Sequence, residues 1–166
     1  TGSLEMMDGF CDTVAAEFPA TVVSVDYRLA PEDPFPAGVE DCYAALVWLA
    51  DHADELGVDP ARIGVSGQSA GGGLAAATAL LARDRGGPAL CHQHLEIPEL
   101  DDRLDTPSMV EFTDTPLWNR PNAIRSWSWY LGSDDRPGSA DVSHYAAPAR
   151  CEDLSGLPPA YVSVME

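Results

Sequence analysis

Gly67-Gln68-Ser69-Ala70-Gly71 fits the pattern G-x-S-x-G. A short β-branched run, Ile63-Gly64-Val65-Ser66, leads into it, and an Ala-rich stretch with Leu74, Leu80 and Leu81 follows. Strand, sharp turn and helix with a serine at the apex lifts a hydroxyl clear of a sheet. Such a hydroxyl becomes a nucleophile once a base takes its proton. The N–H of Ala70, the next residue, can donate to the oxyanion that forms when a carbonyl is attacked. The positive end of the following helix favours the same charge. Glycines 67 and 71 are expected because side chains there would collide with the neighbouring strand and helix. The chemistry these residues could do is acyl transfer through Ser69.

A base must then be found. Chain order Ser, acid, His is the rule where a nucleophile sits on such an elbow. His52 precedes Ser69 in a helical stretch, and His92 and His94 fall in a strand-like run. His144 follows in a polar loop near Asp134, Asp135 and Asp141, and is the best base within these residues. Its alternative is a solvated loop histidine.

The positioning elements can be read from periodicity. Leu4, Met7, Cys11, Val14 and Phe18 share one helical face, and Pro19 ends that helix. Thr21 to Tyr27 is a β-branched run expected to be a buried strand. Arg28 to Pro36 holds three prolines and reads as turn. Val39, Cys42, Leu46 and Leu49 mark a helix over about 38–55, stopped by Gly57, with Asp59-Pro60 turning into the elbow strand. The elbow helix is expected over 70–85 and a further strand over 89–97. Residues 98–148 are rich in acids and prolines and read as a lid-like excursion on the sheet edge rather than a separate domain. Within it Pro121 starts a helix whose Ile124, Trp127, Ser128 and Leu131 share a face. Ala160 to Met165 closes the order as a strand. Alternating strands and helices imply an α/β fold, a mostly parallel sheet of four strands with helices on both faces.

Net charge is −18 across 166 residues, and every basic residue is Arg. That surface repels phosphate backbones and anionic membranes, which argues against nucleic acid. No apolar run is long enough to span a bilayer. Cys11, Cys42, Cys91 and Cys151 are far apart without a C-x-x-C pair, so no metal or redox centre is expected and free thiols in a cytoplasmic setting are.

Asp26-Tyr27-Arg28-Leu29-Ala30-Pro31-Glu32 and Phe35-Pro36-Ala37 closely resemble a signature of hormone-sensitive-lipase-like (bacterial group IV) esterases of the α/β-hydrolase fold. Gly67-Gln68-Ser69-Ala70-Gly71-Gly72 is similar to that family's nucleophile motif, with Gln68 in place of the usual Asp. Asp59-Pro60-Ala61-Arg62-Ile63 and Leu154-Ser155-Gly156-Leu157-Pro158-Pro159-Ala160 also resemble family segments, so the likeness runs through 1–166.

The resemblance implies a carboxylic ester hydrolase acting through Ser69 on short or medium acyl esters, with Ala70 as one oxyanion donor and no cofactor or metal. It implies a small-molecule ester as partner and leaves a homo-oligomer open. It also implies parts that do not map here: an H-G-G-G loop expected before Thr1, a catalytic Asp about two positions past Glu166, and a later His. Both ends therefore read as cut, and the segment alone is expected to be inactive. Glu166 resembles the Glu that often precedes the Asp, not the triad acid. Tyr27, Arg28 and Glu32 read as structural, with a substrate-facing role as the alternative. Trp118, Trp127, Trp129 and Tyr130 read equally as acyl pocket or lid core. The alternative from another class is a non-catalytic ligand-binding protein on the same fold.

Overall fold

The computed structural model describes residues 3–132 and 136–165. Asp134, Asp135 and Glu166 lie outside them. In chain order the helices and strands are α1 (Leu4–Glu17), α2 (Ala37–Asp51), α3 (Ala53–Leu56), β1 (Gly64–Gln68), α4 (Ala70–Asp84), β2 (His92–Glu96), α5 (Pro107–Glu111), α6 (Arg120–Leu131) and β3 (Ala160–Ser163).

The three strands form one parallel sheet in the order β1-β2-β3. β1 and β2 pair from Gly64↔His92 to Gln68↔Glu96, and β2 and β3 from Gln93↔Ala160 to Glu96↔Ser163. Parallel neighbours cannot be joined by a tight hairpin, and α4 is the crossover between the first two. Eleven of its fifteen residues are buried. A helix so enclosed cannot be amphipathic in the usual way, and its small residues let it contact two layers at once. Ala75 and Ala76 meet Leu95 and Val65 of the sheet. Leu74, Ala77 and Leu81 meet Val39 of α2. Ala82 joins Leu46 and Ile63.

Local chemistry explains the element ends. Gly57 takes φ +66° after α3, a left-handed stop that a side chain would resist. Asp59 accepts a hydrogen bond from Ala61 N–H at 2.9 Å and turns the chain into β1. Asn119 accepts from Asn122 N–H at 3.0 Å to start α6, with Pro121 in the first turn as expected.

Two expectations are corrected. Thr21 to Tyr27 is not a strand, and the described sheet has three strands rather than four. A ladder needs a neighbour to hydrogen-bond, and no described strand lies beside this run; Val22 and Val23 are exposed. The buried face of α6 is also rotated from the expected one. Ala123, Trp127 and Leu131 are buried, spaced by four, whereas Ile124 is exposed and Ser128 Oγ donates to its carbonyl at 2.7 Å. Helix α1 forms where periodicity places it and buries none of its residues.

Residues of the 98–148 stretch build their own apolar cluster, in which α6 packs with Leu104, Val142, Ala146 and Ala147 and against Phe35. Asp102, wholly buried, accepts from Arg150 Nε at 2.5 Å and Nη2 at 2.9 Å and from Gly138 N–H at 2.7 Å. Phe35 N–H donates to Tyr130 O at 2.7 Å and ties the proline-rich turn to α6. Among the described residues no helix is long and apolar enough to cross a membrane.

Candidate active site

Ser69 sits between the last residue of β1 and the first of α4, at φ +55° and ψ −120°. That region favours glycine, and a serine there is held by its surroundings. Three backbone hydrogen bonds hold it. Ser69 N–H donates to Glu96 O at 2.9 Å, and Ser69 O accepts from Gly73 N–H at 3.1 Å and Glu99 N–H at 3.0 Å. Ala70 opens α4 and is exposed. First-turn N–H groups have no acceptor inside their own helix, so the Ala70 N–H lies at the positive end of the most buried helix. Gln68 ends β1 with its residue exposed.

The glycines divide unexpectedly. A Cβ on Gly67 would run into the Gly71 carbonyl, as the sequence pattern implies for that position. A Cβ on Gly71 would meet nothing within 4 Å, so the expected collision there is absent. The crowded partners are the next two. A Cβ on Gly72 would lie 2.8 Å from Pro98 Cβ, and one on Gly73 would run into the Glu99 carbonyl. The reason is the turn after β2, which folds back onto the start of α4.

That turn brings in a residue the motif did not flag. Ser69 Oγ donates to Glu99 Oε1 at 3.0 Å. Burial pushes the Glu99 carboxyl above the ordinary carboxylate range, and the hydrogen bond from Ser69 opposes this in part. The usable signal was positional. Functional groups of open α/β sheets collect just past the carboxyl ends of strands, and Glu99 lies three residues past β2.

None of the four histidines is placed to serve Ser69. His144 Nε2 faces Asp84 Oδ2 at 3.9 Å. Asp84 is the last residue of the fifteen-residue α4, and Ser69 caps its first, which separates them by about 22 Å. His144 is therefore not a base for Ser69 in this arrangement. His92 pairs with Gly64 at the far end of β1, about 16 Å down the strand. His94 Nδ1 is 3.1 Å from Ser66 Oγ, with its ring stacked on Tyr161. His52 stacks on Trp48 and its Nδ1 is 2.8 Å from Trp48 O.

The whole chain, residues 1–166, matches the model of the family described as the alpha/beta hydrolase fold. The chain belongs to that family. Among relatives of the hydrolase fold it is 44% identical over 165 residues to Carboxylesterase NlhH of Mycobacterium tuberculosis, covering 99% of this chain and 51% of that one. Esterase LipI of the same organism is 44% identical over 164 residues, 98% of this chain and 50% of its own. The solved structure titled Bacterial Heroin Esterase superposes with a TM-score of 0.97 at 60% identity, covering 99% of this chain and 52% of that one. A hyperthermophilic esterase from the archaeon Pyrobaculum calidifontis gives 0.87 at 44% identity, with 97% and 52% covered. The chain thus spans about half the length of the relatives it matches.

Within the hydrolase fold, the remaining sequence candidates are placed as follows. Arg28 is held bidentately by Asp41 of α2, with Nη2–Oδ1 at 2.8 Å and Nε–Oδ2 at 2.9 Å. Tyr27 packs against the cluster around Val39. Trp127 is core, Tyr130 is packed against it, and Trp118 and Trp129 are exposed. Trp129 does line a surface cavity with Pro31, Pro34, Ser128 and Gly132, a lining that does not include Ser69.

Proposed function

We propose that this chain carries the nucleophile of a carboxylic ester hydrolase acting on short or medium acyl esters. The observation that carries the reading is Ser69 itself, a left-handed serine on a strand–helix junction with an open helix N-terminus beside it. Ser69 Oγ attacks the ester carbonyl. The Ala70 N–H stabilises the oxyanion, and the alcohol leaves. Water then hydrolyses the acyl-enzyme. The base that takes the Ser69 proton comes from chain outside these 166 residues, which accords with the placement of all four histidines elsewhere. The relatives named carboxylesterase, esterase and heroin esterase support an ester as substrate. The four cysteines, unpaired in the structure, suit a reducing cytoplasm.

The test is hydrolysis of p-nitrophenyl acetate and butyrate by the full-length polypeptide that carries this sequence. Ser69→Ala is expected to lower turnover by at least about 10⁴-fold with the fold intact. The 166-residue segment alone is expected to show almost none of the activity. Full turnover by Ser69→Ala would overturn the reading. Robust, Ser69-dependent turnover by the segment alone would overturn the assignment of the base.

A further inference from the structure

We propose that Glu99 is a positioning residue for Ser69: it fixes the rotamer that places Oγ above the sheet, so the oxygen stands in place when a base engages its proton. This rests on the ester-hydrolase reading above.

The geometry joins the two residues twice. Ser69 Oγ donates to Glu99 Oε1 at 3.0 Å, and Glu99 N–H donates to Ser69 O at 3.0 Å. The preceding turn is built to allow it. Ile97, a β-branched residue, takes φ +39°. That is a costly backbone for such a side chain, and strain of this kind collects at functional sites. Its N–H is secured to Ser163 O at 2.8 Å. Pro98 and Glu99 then press on Gly72 and Gly73, where no Cβ could stand.

Packing alone does not call for an acid here. A mostly buried carboxyl loses hydration and needs a partner, and the hydroxyl of Ser69 is the partner this one has among the described side chains. A serine χ1 has three staggered wells. Bonding to Oε1 selects one of them. The bond holds Oγ in that well until a base engages, when the hydroxyl hydrogen leaves Oε1 by turning about Cβ–Oγ. Glu99 therefore acts through Ser69 and takes no proton away.

The experiment uses the full chain with Glu99→Ala, Glu99→Asp and Glu99→Gln. Readouts are kcat and KM for p-nitrophenyl acetate, the rate of Ser69 labelling by a fluorophosphonate, and Tm. Glu99→Ala is expected to lower kcat and the labelling rate on the order of tenfold, about what one hydrogen bond to a charged group is worth, with KM unchanged. Glu99→Gln keeps an acceptor at the same reach and stays near wild type. Glu99→Asp keeps the charge but draws it back, and falls with Glu99→Ala. Wild-type labelling in both Glu99→Ala and Glu99→Asp overturns the proposal. So does a loss in all three that tracks a fall in Tm, which would mark a role in folding only. Retained turnover in Ser69→Ala would sink the hydrolase reading instead, and is read separately.

Discussion

Cys42 and Cys91 carry the same thiol in opposite settings. Cys42 lies on α2 against the cluster around Val39, and burial pushes its thiol up to about 12. Cys91 is exposed just before β2. The thiolate is the reactive form, so at pH 8 an aromatic disulfide reagent is expected to modify Cys91 at least tenfold faster than Cys42, checked by peptide mass spectrometry. Equal rates would show that the α2–α4 seam opens readily. At this scale the sequence was readable wherever the determinant is local. Ser69, Ala70 and Gly67 are neighbours in one turn, and their spacing announces their relation. Glu99 is thirty residues from Ser69, and meets it only because β2 pairs with β1 in a particular register. No spacing rule states that register. The space at Gly71 has a related reason: the crowding comes from the turn after β2, which reaches Gly72 and Gly73 instead.

Helix α4 is the element on which the layers converge. Leu80 is 1% exposed in its middle. Truncation to Ala there removes most of a fully buried side chain and leaves a cavity, and is expected to cost about 2–5 kcal/mol by urea unfolding. The small-residue run made this helix legible as a buried crossover. The Thr21–Tyr27 run reads as a strand and is not one because β-propensity describes a residue's fit to a pleated sheet, not the presence of a neighbouring strand. On α6, the Ile124 face and the Ala123 face differ by one residue of rotation. The choice between them was made by Leu104, Val142, Ala146 and Ala147 arriving from elsewhere in the chain.

At the scale of the molecule, the loops outside the sheet are joined through one charge. Asp102 is fully buried and binds Arg150 and Gly138 together. Asp102→Ala leaves the mostly buried Arg150 guanidinium without its carboxylate and is expected to destabilise the protein by about 3–5 kcal/mol, read as a lowered denaturant midpoint. Asp102→Asn, which keeps an acceptor, is expected to lose less. This pair is not legible in the sequence, where Asp102 stands in the acid- and proline-rich stretch that reads as a lid-like excursion.

The left-handed backbone of Ser69 bears on what selection must maintain. Glycine adopts φ +55° freely, whereas serine and alanine are held there at about 1–3 kcal/mol. Ser69→Gly is therefore expected to be more stable than Ser69→Ala by about 1–2 kcal/mol, measured by urea unfolding of the two variants side by side. Drift toward stability alone would erase this serine. Its presence at a position suited to glycine accords with the proposed role of its hydroxyl.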